Sequence, residues 1–356
     1  MGSGGAKPRC GCSQSIVPVI HMAHGDATLT ELPVHAANRN TAQGNQSRRN
    51  IWVNLLLYPS HTLPTAAAPV IVAVGLALRS HVFSPVPVLI GFIGSWLIHV
   101  GGVFTDNYEL LRKFPRLQEH PELVEAVENG SLRLSRLRTA IFVCFGLALL
   151  TAPYLLHIGG VLVLIFGIIG ISASVGYAGG ICPYAKHGLA DLLFFLMFGI
   201  VAVVATYYIQ VASVDRLRSF YSILPDAFPW AVFVVGLPIG ALATDVLIID
   251  DIRDREFDRV KGWRTGAVRY GIGWSRAEFI ALMAFAYFAL LVFWLKLGFA
   301  PWVLLPLLTL PLAITTGNAV CTLERPKQLL PMTPKMARLT LIYSVLLAIG
   351  IAVSGR

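Results

Sequence analysis

What most constrains this chain is a procession of apolar runs that begins near Thr62 and continues almost to the C-terminus. Nine can be counted, approximately Thr62 to Leu78, Val86 to Phe104, Thr139 to Leu156, Val161 to Tyr177, Leu189 to Val211, Trp230 to Ile249, Phe279 to Leu297, Trp302 to Leu323 and Leu339 to Val353. A helix rises 1.5 Å per residue, so each run is long enough to cross, or nearly cross, a hydrocarbon layer of about 30 Å. Inside that layer every backbone polar group must be satisfied within the protein, which selects helices for segments of this length. Prolines in or near the runs, such as Pro64, Pro69, Pro238 and Pro311, are tolerable there because neighbouring groups re-satisfy the freed carbonyls. A composition of 56% hydrophobic and 13% charged residues, with mean hydropathy +0.69, excludes an ordinary soluble domain. The expected architecture is an all-α polytopic membrane protein, a bundle of nine transmembrane helices with cytoplasmic cap loops, formed by residues 51–356.

Residues 1–50 are a different polymer, rich in Gly, Ser, Asn, Gln and His and lacking apolar periodicity. They read as a disordered polar tail with no secretory cleavage signal. The cysteines, Cys10, Cys12, Cys144, Cys182 and Cys321, are scattered and suggest no disulfide framework. In a nine-span arrangement, 23 of the 28 Lys and Arg fall on the face that carries the tail and the acid-bearing loops. Arg79, Arg216, Arg218, Lys296 and Arg356 fall on the other. The positive-inside rule then places the N-terminus and acidic loops in the cytoplasm and the C-terminus outside. The net charge of +9 fits a basic face beside anionic lipid and gives no reason to invoke nucleic acid.

Against this apolar background, one stretch concentrates charge. Asp250 to Asp258 hold five of the chain's nineteen acids in nine residues, directly after the apolar run ending at Ile249. On a helix Asp250, Asp254 and Asp258 share one face at i, i+4 and i+8, and Asp251 lies at i, i+3 from Asp254. Carboxylates this close disfavour each other's ionised form unless a cation is held between them. Hard oxygen donors in a partly open array suit Mg2+, which keeps waters and shares its shell with substrate phosphates. Arg259, Lys261 and Arg264 follow and are placed to meet phosphate oxygens. The competing reading is a solvated loop whose acids and bases pair with one another at little net energy.

A second polar concentration opens with Thr105-Asp106-Asn107-Tyr108-Glu109-Leu110-Leu111-Arg112-Lys113. Asp106 and Glu109, at i, i+3, place two further carboxylates at the mouth of the second span, with Arg112 and Lys113 as adjoining cations. Pro121 to Glu128 alternates apolar and acidic residues at helical spacing, which indicates a short interfacial helix with its acids solvated. The Gly- and Pro-containing connection from Tyr177 to Asp191 is a shaped turn carrying Lys186 as its only cation. Lys186 is read either as an anion contact or as a snorkelling interfacial lysine. Asp191 has a sufficient explanation in the first turn of a helix.

Two acid-bearing loops on one membrane face, with basic partners above an apolar bundle, suggest ionisation of a diphosphate attached to an apolar chain. Mg2+ would neutralise the leaving group, and aromatic faces would stabilise a carbocation in a dry cavity. A transporter of an anionic lipid or metabolite is the rival from another class, and it calls for functional charges near mid-membrane.

At these residues the chain resembles the UbiA superfamily of intramembrane prenyltransferases, over about residues 51 to 355. Asp250 to Asp258 with Lys261-Gly262-Trp263-Arg264-Thr265-Gly266-Ala267-Val268-Arg269-Tyr270-Gly271 is similar to that family's N/D-D-x-x-D-x-x-x-D followed by G-K-R-T-L-A-V-R-L-G. Tyr58-Pro59-Ser60-His61-Thr62-Leu63-Pro64-Thr65-Ala66-Ala67-Ala68-Pro69 resembles R-P-x-T-L-P-A-A-x-A-P, from the branch that prenylates dihydroxynaphthoate for menaquinone. Tyr177-Ala178-Gly179-Gly180 and Gly188-Leu189-Ala190-Asp191 resemble the same branch. The departures are equally plain: the family's first N-D-x-x-D-x-x-x-D becomes Thr105, Asp106, Glu109 and Lys113, and Tyr58 replaces the usual Arg.

The resemblance implies Mg2+-dependent transfer of an isoprenoid chain from a prenyl diphosphate donor to a small aromatic or quinone-precursor acceptor. Its expected Mg2+ set is Asp106, Glu109, Asp250, Asp251, Asp254 and Asp258. The expected diphosphate contacts are Lys186, Lys261, Arg264, Arg112 and Lys113. A superfamily member that cyclises its isoprenoid would use the same acids.

Overall fold

The computed structural model describes residues 62–114, 121–180, 183–215, 219–224 and 228–354. The tail expected over 1–50, the Tyr58 segment, Cys182, Arg216, Arg218 and Arg356 lie outside the described residues. Among those described there is helix and turn but no strand. The long elements are α1 (Thr62–Arg79), α2 (Pro85–Lys113), α4 (Leu134–Gly176), α5 (Ala190–Asp215), α6 (Trp230–Arg253), α9 (Ile272–Lys296) and α12 (Met332–Val353). A 3-10 segment, Pro301–Thr309, runs into α10 (Leu310–Thr322). Short helices α3 (Pro121–Glu128), α7 (Arg255–Lys261), α8 (Gly266–Arg269) and α11 (Pro326–Leu329) connect them.

Seven helices among the described residues are long and apolar enough to cross a membrane, against nine runs in the sequence. The difference has two sources. The apolar stretch in α1 is shorter than the others. The third and fourth runs are the two halves of α4, whose 43 residues are helical on either side of a break at Gly160. Both halves lie along α2, with Phe145 against Gly101 and Ser174 against Gly102. α4 is interrupted at Gly160, whose φ of 58° and ψ of −148° lie in a region that only glycine occupies at low cost. The break is sealed from outside the helix: the freed Gly159 carbonyl accepts the Tyr208 hydroxyl at 2.9 Å, and the Val161 amide donates to the Phe220 carbonyl at 2.8 Å.

The bundle is organised around α6, which is apolar on all sides and buried over most of its length. α5, α9, α12 and α1 pack against it. α5 and α6 meet at glycines, since a Cβ on Gly236 would lie 1.8 Å from the Gly199 carbonyl oxygen and one on Gly240 would lie 2.5 Å from that of Phe195. Such backbone approach replaces hydrophobic driving force where lipid is the solvent. α2 packs along α4. α3 is the short helix that its spacing indicated: Leu123 and Ala126 are buried with Val100 and Phe104 of α2, while Glu125 and Glu128 are exposed.

Candidate active site

A cavity of about 630 Å3 opens between α2, α4, α5 and α6. Most of its wall is aliphatic or aromatic, and its charged residues are grouped at the end where α2 and α6 terminate. Asp106 comes from α2, Asp250 and Asp251 from the last turn of α6, Asp254 from the joint between α6 and α7, and Asp258 from α7. The joint bends the chain without dropping its ladder: the Asp254 amide donates to Asp250 and the Asp258 amide to Asp254, at 2.8 and 2.9 Å. That continuity keeps the four acids along one wall. Gly262, with φ of 73°, ends α7 in a left-handed cap. The chain then folds back, so that the Trp263 amide donates to the Asp258 carbonyl at 2.8 Å and the Thr265 hydroxyl reaches the Asp258 carboxylate at 3.4 Å.

Two cations share this wall, Arg253 and Lys261, against five carboxylates. Arg253 bridges Asp250 and Asp254, donating through Nε to Asp254 Oδ1 at 2.8 Å. Lys261 pairs with Asp258 at 2.9 Å, both side chains 4% exposed, and its ammonium lies 3.9 Å from the centre of the Trp263 ring. Thr333, from α12, donates to Asp250 at 2.7 Å and ties the last helix to the site. Asp251 is buried, and its Oδ2 has no hydrogen-bond partner. Tyr177 and Tyr184 complete the rim, with rings edge to face at 5.6 Å, and Tyr177 also meets Trp263 at 5.9 Å. Burial raises the Tyr177 hydroxyl well above the usual tyrosine pKa, and the charges of Asp251, Asp106 and Asp258 raise it further. Burial and Asp106 push Tyr184 in the same direction. Both therefore remain protonated and available as hydrogen-bond donors.

The remaining residues singled out in the sequence do not line this cavity. Glu109 is drawn aside by its own helix: Arg112 and Lys113, one turn on, hold its carboxylate at 2.7 and 2.8 Å. Arg112 and Lys113 are themselves exposed and turned to that pairing. Lys186 is exposed on the 3-10 turn Tyr184–His187, and Arg264 is exposed where its carbonyl packs against Gly188. Glu256, in the middle of the acid stretch, points away and pairs with Arg255 and Arg259. Asp245, also on α6, is fully buried with neither carboxylate oxygen hydrogen-bonded and lies off the cavity wall. Sequence reasoning passed over Arg253, whose signal was its place inside the acid stretch, and Thr333, which had no local signal.

The donor set is hard oxygen with excess negative charge, and the unpartnered Asp251 oxygen is one atom on which a cation would act. These residues fit Mg2+ in a particular way. Among the described residues no three Asp, Glu, His or Cys side chains form a group that would hold an ion by themselves. An ion held here would retain waters and take further oxygens from a bound phosphate, the habit of Mg2+ at phosphate sites.

An all-helical membrane protein with an acid-lined mouth over an apolar cavity is the class that fold and site define. A model of the family described as "UbiA prenyltransferase family" matches residues 66–333, and the chain belongs to that family. It is a prenyltransferase. The chain is 26% identical over 305 residues to 1,4-dihydroxy-2-naphthoate octaprenyltransferase of Haemophilus influenzae, covering 82% of this chain and 93% of the relative. It is 27% identical over 303 residues to the enzyme of the same name from Mycobacterium tuberculosis, covering 82% and 94%. The fold is similar to the apo structure of a UbiA homolog from Aeropyrum pernix, with TM-score 0.59, 19% identity and coverage of 83% and 98%. It is also similar to a UbiA homolog from Archaeoglobus fulgidus bound to DMAPP and Mg2+, with TM-score 0.51, 16% identity and coverage of 83% and 99%.

Proposed function

We propose that this protein transfers an isoprenoid chain from a prenyl diphosphate to a small aromatic or quinone-precursor acceptor inside the membrane, with Mg2+ as cofactor. The observation that carries the reading is the polarity of the cavity: five carboxylates gathered at one end, and an apolar wall beyond them. That arrangement receives a molecule with a charged head and a long apolar tail. It disfavours a transport path, which would call for functional charge along the crossing. The naphthoate octaprenyltransferases among the relatives make a fused aromatic acceptor the first choice.

In this reading Asp106, Asp250, Asp251, Asp254 and Asp258 hold the diphosphate end through bound Mg2+, which supplies positive charge against the leaving group. Arg253 and Lys261 have two states available. They pair with the aspartates now, and with diphosphate oxygens when a cation takes over the carboxylates. Tyr177 and Tyr184 donate hydrogen bonds at the rim. The aromatic and aliphatic wall, which includes Phe194 and Phe198, excludes water from an allylic cation. Glu109, held by Arg112 and Lys113, positions the end of α2 rather than the metal.

We further propose nine crossings, with α4 crossing twice by turning at Gly160 and α1 supplying the first. The acid-bearing end would face the cytoplasm, and the end carrying Arg79 and Lys296 the outside. A protease site inserted in the Asp250 loop is then cleaved only from the cytoplasmic side, and one after Arg356 only from outside; cleavage of both from one side contradicts the odd count.

The activity is tested by incubating purified protein with Mg2+, allylic diphosphates of several lengths, and phenolic or naphtholic acceptors, with pyrophosphate and prenylated product both measured. The proposal expects Mg2+-dependent release of pyrophosphate in step with prenylated acceptor. Pyrophosphate accompanied by a cyclised isoprenoid identifies a cyclase instead, and no release with any donor contradicts both.

A further inference from the structure

We infer that His99 is a catalytic residue of the transfer step, its imidazole taking the hydroxyl proton of the aromatic acceptor as the ring carbon attacks the donor. The inference rests on the aromatic acceptor proposed above. His99 lines the cavity and, among the described residues, is the one ionisable side chain on its wall outside the acid-bearing end. His99, Gly102, Val103 and Asp106 all line it, at i, i+3, i+4 and i+7, so they form one face of α2. Seven residues of helix place His99 about 10 Å deeper than Asp106. A diphosphate held at Asp106 directs its allylic carbon down this face, and an acceptor ring stacked beneath that carbon comes level with His99.

The imidazole is packed against a ring of α5, and the helix that carries it is fastened to α4. Within α5, Met197–Val201 forms a π-helical turn, a rare feature that accommodates an additional residue in the helix and recurs at functional sites. The turn sits where Gly199 meets α6 backbone to backbone, a Cβ there falling 2.9 Å from the Gly240 Cα. Its neighbour Phe198 lines the cavity, edge to face with His99 at 5.5 Å and against Phe194 at 4.7 Å. On the other side, the Ser174 hydroxyl donates to the Ile98 carbonyl at 2.7 Å. It occupies the space a Cβ on Gly102 would need, at 2.2 Å, so α2 is fastened to α4 beside His99. A ring fixed by packing in this way meets the geometric demand on a general base.

The chemistry needs such a group. A phenolic hydroxyl has a pKa of about 10 and must give up its proton as the ring carbon attacks, and imidazole is the side chain most often used as a general base. The acids at the mouth are engaged with cations and the diphosphate end. In the step, the ring carbon forms a bond to the allylic carbon, whose carbon–oxygen bond breaks with both electrons leaving on the diphosphate. The hydroxyl proton passes to His99 and leaves a keto form of the alkylated ring. Loss of the hydrogen on the alkylated carbon to a diphosphate oxygen restores aromaticity, and His99 returns its proton to the ring oxygen. One proton is released in all.

The test uses the full-length protein in detergent or vesicles, with a naphtholic or phenolic acceptor that wild type prenylates. His99→Gln, with helical content and elution matching wild type, is expected to lose prenyl transfer by about a hundredfold, the middle of the range for general-base catalysis. Wild-type kcat/KM for acceptor should show an acid limb that the residual activity of His99→Gln lacks. Imidazole added to His99→Ala should restore transfer. Transfer by His99→Gln within threefold of wild type, or a loss that keeps the acid limb and resists imidazole, overturns the assignment. A wild type that releases pyrophosphate but prenylates no aromatic acceptor overturns the parent reading together with it.

Discussion

The two acid-bearing stretches of this protein meet at one cavity mouth and have diverged in how they reach it. In the stretch from Asp250 to Asp258, four aspartates line the wall and only Glu256 turns outward. Each inward acid is either tied to Arg253, Lys261, Thr265 or Thr333 or, in the case of Asp251, buried with an open oxygen. Of the acids in the stretch from Asp106 to Lys113, Asp106 remains on the wall and Glu109 is captured by two cations on its own helix. The contrast teaches that charge pairing inside one helix can withdraw an acid from a site at short range. A basic residue at i+3 or i+4 competes for the carboxylate, and Glu109 has one at each.

The comparison breaks most visibly at Asp106, the last acid of its stretch on the wall. Asp106→Asn keeps shape and removes the charge, and should lower kcat/KM for the donor by about a hundredfold, the size of a lost electrostatic contact to a developing charge. It should also raise the Mg2+ concentration for half-maximal rate. Activity within threefold would mean that the Asp250 stretch suffices alone. Tyr177 sits between the two stretches. Tyr177→Phe removes one hydrogen-bond donor to a charged group and should cost about tenfold. Because burial and three carboxylates raise the tyrosine pKa, its proton is retained at and above the usual value. The loss should therefore be equal at pH 7 and pH 9; a deficit that vanishes by pH 9 would mean that Tyr177 ionises. Glu109→Gln sharpens the contrast from the other direction. It should leave turnover within threefold and the Mg2+ dependence unchanged, whereas a raised Mg2+ requirement would return Glu109 to the metal set. Restoring the sequence pattern with Glu109→Asp should likewise gain little while Arg112 and Lys113 remain.

The fold was legible wherever local composition decides it. Runs of apolar residues too long for anything but membrane helices are visible one by one, and the shared face of Asp250, Asp254 and Asp258 follows from spacing alone. The break in α4 was legible in position but not in cause: the connection expected between Leu156 and Val161 contains Gly160, the residue of α4 that leaves helical conformation. Its conformation depends on Tyr208 and Phe220, which are distant in sequence. The site divides in the same way. Acids and cations could be assigned to one end of the bundle from the chain, but not whether each turned inward. Lys186 and Arg264 had the right charge and loop, yet both face outward, while Arg253, inside the acid stretch, lines the wall. Thr333 reaches Asp250 across 83 residues, a contact that only tertiary packing determines.

The central claim is that position on the cavity wall, and not membership of the acidic stretch, makes a carboxylate part of the reaction. Asp254 and Glu256 test it two residues apart. Asp254 is buried on the wall against Arg253, whereas the Glu256 side chain is 67% exposed between Arg255 and Arg259. Pyrophosphate release from an allylic donor should be measured for Asp254→Asn and Glu256→Gln at saturating Mg2+, with both proteins matched to wild type in helical content and elution. The account expects release by Asp254→Asn to fall by about a hundredfold or more, and release by Glu256→Gln to stay within a few-fold of wild type. Equal activity in the two variants would contradict it.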